Sequence, residues 1–216
     1  MKLCRKHIVY GVITILISYL FFLTRSEWDP MHAWNRAFAN VSLLYLFIIM
    51  FLGPFSKIKK GVGKWLPARR ELGIWGGIAA LIHIFIIFDG WIEWEFSRLF
   101  VVFSPVEGSF FLHPGFAIGN IIGIVATIYL IFLLLTSNNK SMRFLGQKTW
   151  KHVQQKAGIY YMLVVLHTTY FIFLHMPQNP NWIQGPFLIS ILVIILVQGL
   201  AFCKESKKSR SKMNTK

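Results

Sequence analysis

The chain has 216 residues, of which 55% are apolar, 16% aromatic and only 14% charged. A soluble domain of this length carries about a quarter charged residues, so this composition excludes a disordered chain and an ordinary soluble enzyme. The net charge of +15 suggests nucleic-acid binding until the charges are located. They lie between long apolar runs, as in an integral membrane protein, and we expect no nucleic-acid partner.

Six apolar runs are long enough to cross a bilayer as helices, for which about 20 residues are needed. They cover residues 8–24, 37–55, 72–88, 114–136, 157–174 and 187–203. The first resembles a signal peptide but is followed by no small-residue cleavage site, so we interpret it as a helix. The sequence therefore predicts an all-α membrane protein, a six-transmembrane-helix bundle in which the lipid bilayer is the first partner.

The basic residues predict which side of the membrane each loop faces. All but three of the 23 lie in the N-terminal segment, the second and fourth loops, or the C-terminal segment. The opposite side keeps only Arg25, Arg36 and Arg98, together with six of the eight acidic residues. Because Lys and Arg accumulate in cytoplasmic loops, we expect both termini in the cytoplasm and a multi-pass protein of the cell membrane.

The pattern divides the chain into four parts. Residues 1–29 hold the first span and an outer loop, 30–175 form the central core, and 176–203 form the sixth span. Residues 204–216 are rich in Lys and Ser and are predicted to be a disordered basic tail. The outer loop of residues 90–113 contains Trp91, Trp94 and Phe96, which indicates an interfacial segment.

Two histidines lie inside apolar spans, where ionisable residues are costly and suggest a functional site. His83 follows the inner anchor Glu71 by 12 residues, and His167 follows Lys156 by 11. At about 1.5 Å per residue, both imidazoles lie roughly 17 Å from the inner boundary. The third and fifth spans run in the same direction, so two side chains at equal depth can meet one object from opposite sides.

Zinc requires three or four ligands, and no Cys, Asp or Glu lies at this depth to complete a set. A b-type haem needs only two axial imidazoles and an apolar pocket. The alternative is that His83 and His167 are unrelated and are hydrogen-bonded across helices to Ser, Thr or backbone.

Several short stretches around these histidines carry a resemblance to a known family. In chain order they are Arg36-Ala37-Phe38-Ala39, Gly53-Pro54, Arg69 to Trp75, Leu81-Ile82-His83, Thr136-Ser137-Asn138, Arg143-Phe144-Leu145-Gly146, Trp150-Lys151, Tyr160-Tyr161 and Leu166-His167. Their order and spacing resemble the ferric-reductase-like transmembrane domain over residues 30–175. That family includes the haem-binding membrane subunit of the bacterial methionine-sulfoxide-reductase system, the metalloreductases and the membrane core of NADPH oxidases.

The resemblance implies that His83 and His167 are the axial ligands of a haem b on the outer side. Many members of the family carry a second, inner haem, for which the corresponding positions here are Gln154 and Arg70. We therefore expect one haem, and we interpret His152, two residues before Gln154, as a loop residue. Some single-haem relatives use a flavin at the cytoplasmic side, and the basic inner loops are compatible with one.

The expected function is transfer of single electrons across the membrane, which makes the chain the transmembrane subunit of an oxidoreductase. The donor would be a separate reductase, a quinol or a diffusible flavin, and the outer acceptor is unknown. The alternative is a haem-free small membrane transporter or assembly scaffold. We also expect Arg36, Arg98 and His113 as partners of the haem propionates, unless the two arginines pair with Glu27, Asp29 or Glu95.

Overall fold

The computed structural model describes residues 2–175 and 181–213. Within these residues, the α-helices are α1 (Lys2–Leu23), α2 (Pro30–Ile58), α3 (Ala68–Gly90), α4 (Pro114–Thr136), α5 (Asn139–Leu145), α6 (Gln147–Gln155), α7 (Ala157–Thr169) and α8 (Gln184–Met213). A π-helical turn, Tyr170–Leu174, extends α7. Short 3-10 turns cover Val62–Trp65 and Phe96–Leu99.

The six predicted spans are confirmed. In the described part of the chain, six helical segments are long and apolar enough to cross a membrane: Lys6–Leu23, Pro30–Ile58, Ala68–Gly90, Pro114–Thr136, Gln147–Leu174 and Gln184–Ser211. The second begins seven residues earlier than predicted, because the Asp29 carboxylate accepts hydrogen bonds from the Met31 and His32 amides and Pro30 opens the helix. Arg36 therefore lies well inside α2 rather than at the point where the span begins.

Helix α2 is the centre of the bundle and contacts α1, α3, α7 and α8. Its residues Val41 and Tyr45 are almost fully buried against α1 and α3, and Phe47 packs on Tyr161 and Phe187. Helix α4 packs mainly on α7. Two antiparallel pairs, α2 with α3 and α4 with α7, thus lie within the bundle, and α1 and α8 pack on α2.

The outer loop contains regular structure that the sequence did not predict. Strands β1 (Val101–Ser104) and β2 (Ser109–Leu112) form an antiparallel hairpin in which Val101 is paired with Leu112. Before it, Glu93 and Trp94 both adopt positive φ, at 47° and 62°. This conformation is unusual for residues other than glycine, and here it accompanies contact of the Trp94 ring with Phe88.

The basic tail differs from its prediction. Helix α8 continues to Met213, so residues 204–213 are helical rather than disordered. No Gly or Pro follows Gly199, and extending an existing helix avoids the cost of nucleation. The Lys204 ammonium also donates a hydrogen bond to the Ile58 carbonyl at 2.8 Å.

The charge distribution predicts how the protein is oriented in the membrane, and cysteine labelling can test this orientation. In a Cys4→Ser, Cys203→Ser background, we expect Val106→Cys to react with a membrane-impermeant maleimide on intact cells. Val106 is at the hairpin tip and is 96% exposed. The matched variant Ser209→Cys, exposed near the end of α8, should react only after the membrane is opened. The opposite pattern would reverse the predicted orientation.

Candidate functional site

The His83 side chain is held by α2. Its ring Nδ1 lies 3.3 Å from the Asn35 carbonyl oxygen, and the Asn35 side-chain amide donates to the His83 carbonyl at 3.1 Å. Since a carbonyl only accepts, Nδ1 carries the proton in this contact. These reciprocal bonds fix both the orientation of the ring and its tautomer.

The His167 side chain is held in the same way by α4. Its Nδ1 lies 2.8 Å from the Gly119 carbonyl oxygen. The approach is possible because Gly115, Gly119 and Gly123 form a stripe along α4 at intervals of four residues. A Cβ at Gly123 would lie 2.8 Å from His167 Cε1, and one at Gly119 would lie 2.6 Å from Tyr170 Cδ1. Such stripes allow close helix packing in membranes.

The two histidines share one arrangement. In each, Nδ1 is bonded to a backbone carbonyl of the neighbouring helix, and Nε2 has no hydrogen-bond partner among the described residues. The predicted alternative of hydrogen bonding across helices therefore accounts for one ring nitrogen only. Histidines that ligate metals typically donate their other N–H to a carbonyl or carboxylate, which leaves a basic lone pair free.

The two imidazoles also lie at equal distance from the outer ends of their spans. His83 is seven residues before Gly90, where α3 ends, and His167 is seven residues before Leu174, where the fifth span ends.

A π-helical turn begins three residues after His167. Such turns are rare and occur frequently at functional sites. The Tyr170 ring lies over Gly115 and Gly119, and its hydroxyl is buried without a hydrogen-bond partner. The His175 ring stacks on Phe116 at a centroid distance of 5.3 Å. Several aromatic side chains thus cover the outer side of His167.

The three residues predicted to face propionates have different environments. Arg98 forms ion pairs with Glu93 at 3.0 Å and Glu95 at 2.8 Å. Desolvation is the largest single effect and lowers the pKa of Arg98, but the charges and hydrogen bonds of the two carboxylates together raise it. For Arg98, this is the alternative given above, in which the arginine pairs with a surface carboxylate such as Glu95 instead of a haem propionate. Arg36 has no hydrogen bond or ion pair with the described residues.

His113 is the N-cap of α4, and its Nδ1 accepts a hydrogen bond from the Phe116 amide at 3.1 Å. Because Nδ1 accepts, the proton of the neutral ring is on Nε2, which is left as a donor.

Gln154 and Arg70, the positions considered above for an inner haem, hold the end of α4. The Gln154 amide donates to the Thr136 hydroxyl at 2.8 Å, and the neighbouring Trp150 indole donates to the Thr136 carbonyl. Arg70 donates to the Ser137 carbonyl at 3.0 Å and to the Asn139 side chain at 2.8 Å. His152 is exposed on α6.

No group of three or more His, Cys, Asp or Glu side chains arranged to hold a metal ion occurs in residues 2–175 and 181–213. At least three protein ligands are what a zinc site needs, whereas a haem takes only two.

Sequence reasoning missed two features of the site. Asn35 was not identified because its role depends on contact with α3, which no pattern within α2 reveals. The glycine stripe of α4 was identifiable, since its Gly-Asn-Ile-Ile-Gly segment matches the small-residue motif of packed membrane helices.

The comparisons with known proteins give distant relatives. No family model matches the chain. Over 168 residues, 78% of its length, the chain is 24% identical to magnetosome protein MamZ of Magnetospirillum gryphiswaldense and equally to MamZ of Paramagnetospirillum magneticum. It spans 23% of the length of these relatives.

The contact between Gly123 and His167 leads to a prediction. We expect Gly123→Ala to lower the unfolding temperature, because the added methyl must displace the His167 ring or separate α4 from α7. Overpacking of this kind costs about 1–3 kcal/mol. The matched control is Gly158→Ala in α7, where no atom lies within 4 Å of the added Cβ. Equal stability of the two variants would contradict the packing described.

Proposed function

We propose that this chain is a b-haem membrane protein that carries single electrons across the membrane, with His83 and His167 as the two axial ligands. The proposal depends on one observation above all. Two imidazoles at matching depth on different helices each donate Nδ1–H to a backbone carbonyl and keep Nε2 free.

The residues present fit such a group. Bis-imidazole ligation requires two Nε2 lone pairs and an apolar surround, and both histidines lie in spans dominated by apolar and aromatic side chains. The unpaired Arg36 and the Nε2 donor of His113 suit carboxylates at the outer end. Haem would supply a one-electron couple that needs no open coordination position.

The chain's own residues perform the remaining tasks. Asn35 and the glycine stripe orient the imidazoles before any ligand binds, which reduces the cost of reorganisation. The apolar faces of α2, α3, α4 and α7 exclude water. Bonding of Nδ1 to a carbonyl increases the basicity of Nε2.

One haem per chain is supported by the inner end of the bundle. Gln154 and Arg70 carry no imidazole, and their hydrogen bonds to Thr136, Ser137 and Asn139 use the polar atoms there. We propose that electrons enter on the cytoplasmic side from a separate reductase, a quinol or a diffusible flavin, and leave to an acceptor outside.

The ligands can be tested by absorption spectroscopy. The purified protein should show b-type bands in a reduced-minus-oxidised spectrum. His83→Ala and His167→Ala should each lose most of the haem, because half of the axial ligation is removed. The control His152→Ala should retain it. A featureless wild-type spectrum would favour the haem-free transporter or scaffold, and full occupancy in both ligand variants would reject these ligands.

The stoichiometry can be tested separately. Haem quantified as the pyridine haemochrome should be close to one per chain, with a single wave in a reductive titration. His152→Ala should leave both results unchanged. A value near two would reject the single-haem proposal and would make His152 a candidate inner ligand.

A further inference from the structure

Arg25 occupies an unusual place for a cation at the outer end of the bundle. The residue is only 5% exposed. Its guanidinium lies 5.3 Å from the Trp28 ring centroid and 5.7 Å from that of Trp182. Its hydrogen bonds go to neutral oxygens, at 3.4 Å to the Thr24 hydroxyl and 3.3 Å to the Asn181 side chain. Both are long for a charged donor, which normally bonds at about 2.7–2.9 Å.

No carboxylate in the described residues pairs with Arg25. Asp29 is engaged with the first turn of α2, and Glu93 and Glu95 hold Arg98. Glu27, two residues away, forms no ion pair with it. Residues 176–180, which precede Asn181, contain neither Asp nor Glu.

The groups around Arg25 add positive charge rather than neutralise it. Burial, followed by the charge of Arg36, lowers the pKa of Arg25 to about 10. Burial, followed by the charges of Arg36 and His113, lowers the pKa of His175. Because its pKa is lowered, His175 is neutral at pH 7, so the charge that acts on Arg25 is that of Arg36, and no anion of the described residues pairs with either arginine.

We propose that Arg25 binds a carboxylate at the outer end of the bundle. A buried cation without a counter-ion is costly, and a carboxylate matches the guanidinium fork with two parallel hydrogen bonds. The two indoles make the surroundings apolar. One carboxylate group carries a single charge and loses less hydration there than a phosphate group does, so a carboxylate group is the favoured partner of the guanidinium.

The carboxylate has two possible sources. One is a haem propionate, in which case the inference rests on the proposed function. The other is a small carboxylic acid from the outer solution, and this binding needs no haem.

The experiment uses the purified full chain with Arg25→Gln, and Arg98→Gln as the control, because Arg98 is an outer arginine already paired with Glu93 and Glu95. In the first arm, citrate is titrated at constant ionic strength while thermal unfolding is followed. A carboxylate from solution should raise the unfolding temperature of the wild type and of Arg98→Gln. Arg25→Gln should bind citrate roughly tenfold or more weakly, since a charge-assisted hydrogen bond is lost.

In the second arm, the midpoint potential of the haem is measured. Pairing with a propionate should make the potential of Arg25→Gln lower than that of the wild type and Arg98→Gln, with no response to citrate, because a positive charge near the haem stabilises the reduced state. If the protein binds no haem, the proposed function fails and the citrate arm alone decides the inference.

The inference is overturned if citrate does not stabilise the wild type and Arg25→Gln does not change the potential. If Arg25→Gln then unfolds at the same temperature as the wild type or at a higher one, Arg25 is a buried charge that binds no ligand. Should Arg25→Gln fail to fold, Arg25→Lys keeps the charge but removes the fork, and it should still weaken citrate binding or shift the potential. Wild-type behaviour of Arg25→Lys in both arms overturns the inference.

Discussion

The hydrogen bond from an imidazole Nδ1 to a backbone carbonyl is the constraint on which this bundle depends. In an apolar interior a polar N–H without a partner is costly, and at this depth the nearest acceptors are carbonyls of neighbouring helices. An imidazole N–H can reach such a carbonyl only if the backbones of the two helices lie close together. Asn35 meets this requirement between α2 and α3, and the glycine stripe meets it between α4 and α7.

This constraint explains why the core is built as two helix pairs. Each pair fixes one histidine without help from the other, since His83 is bonded to α2 and His167 to α4. The free Nε2 atoms then belong to different pairs, and a ligand taking both would join them. Helices α1 and α8 pack against α2 and so support the first pair from outside the site.

The sequence predicted the features that depend on length and polarity. Six apolar runs predicted six spans, and counting from the inner anchors Glu71 and Lys156 placed His83 and His167 at one depth. Features that depend on contacts between distant segments were not predictable: the partner of each Nδ1, the ion pairs of Arg98, and the hydrogen bonds of Gln154 and Arg70. The helical tail was not predicted because the prediction used only the polar composition of residues 204–216. It did not consider that the tail continues the long helix α8.

The charges at the two ends of the bundle differ in their exposure to solvent. At the inner end, Gln154 is bonded to the hydroxyl of Thr136, and Arg70 is exposed and bonded to oxygens of α4 and α5. At the outer end, Arg25 is buried and Arg36 lies inside α2, and neither contacts a carboxylate of the described residues. Solvent screens the exposed inner charge far more than the buried outer ones. In the proposed function, a redox group held by His83 and His167 would therefore lie in a positive field, which favours its reduced form.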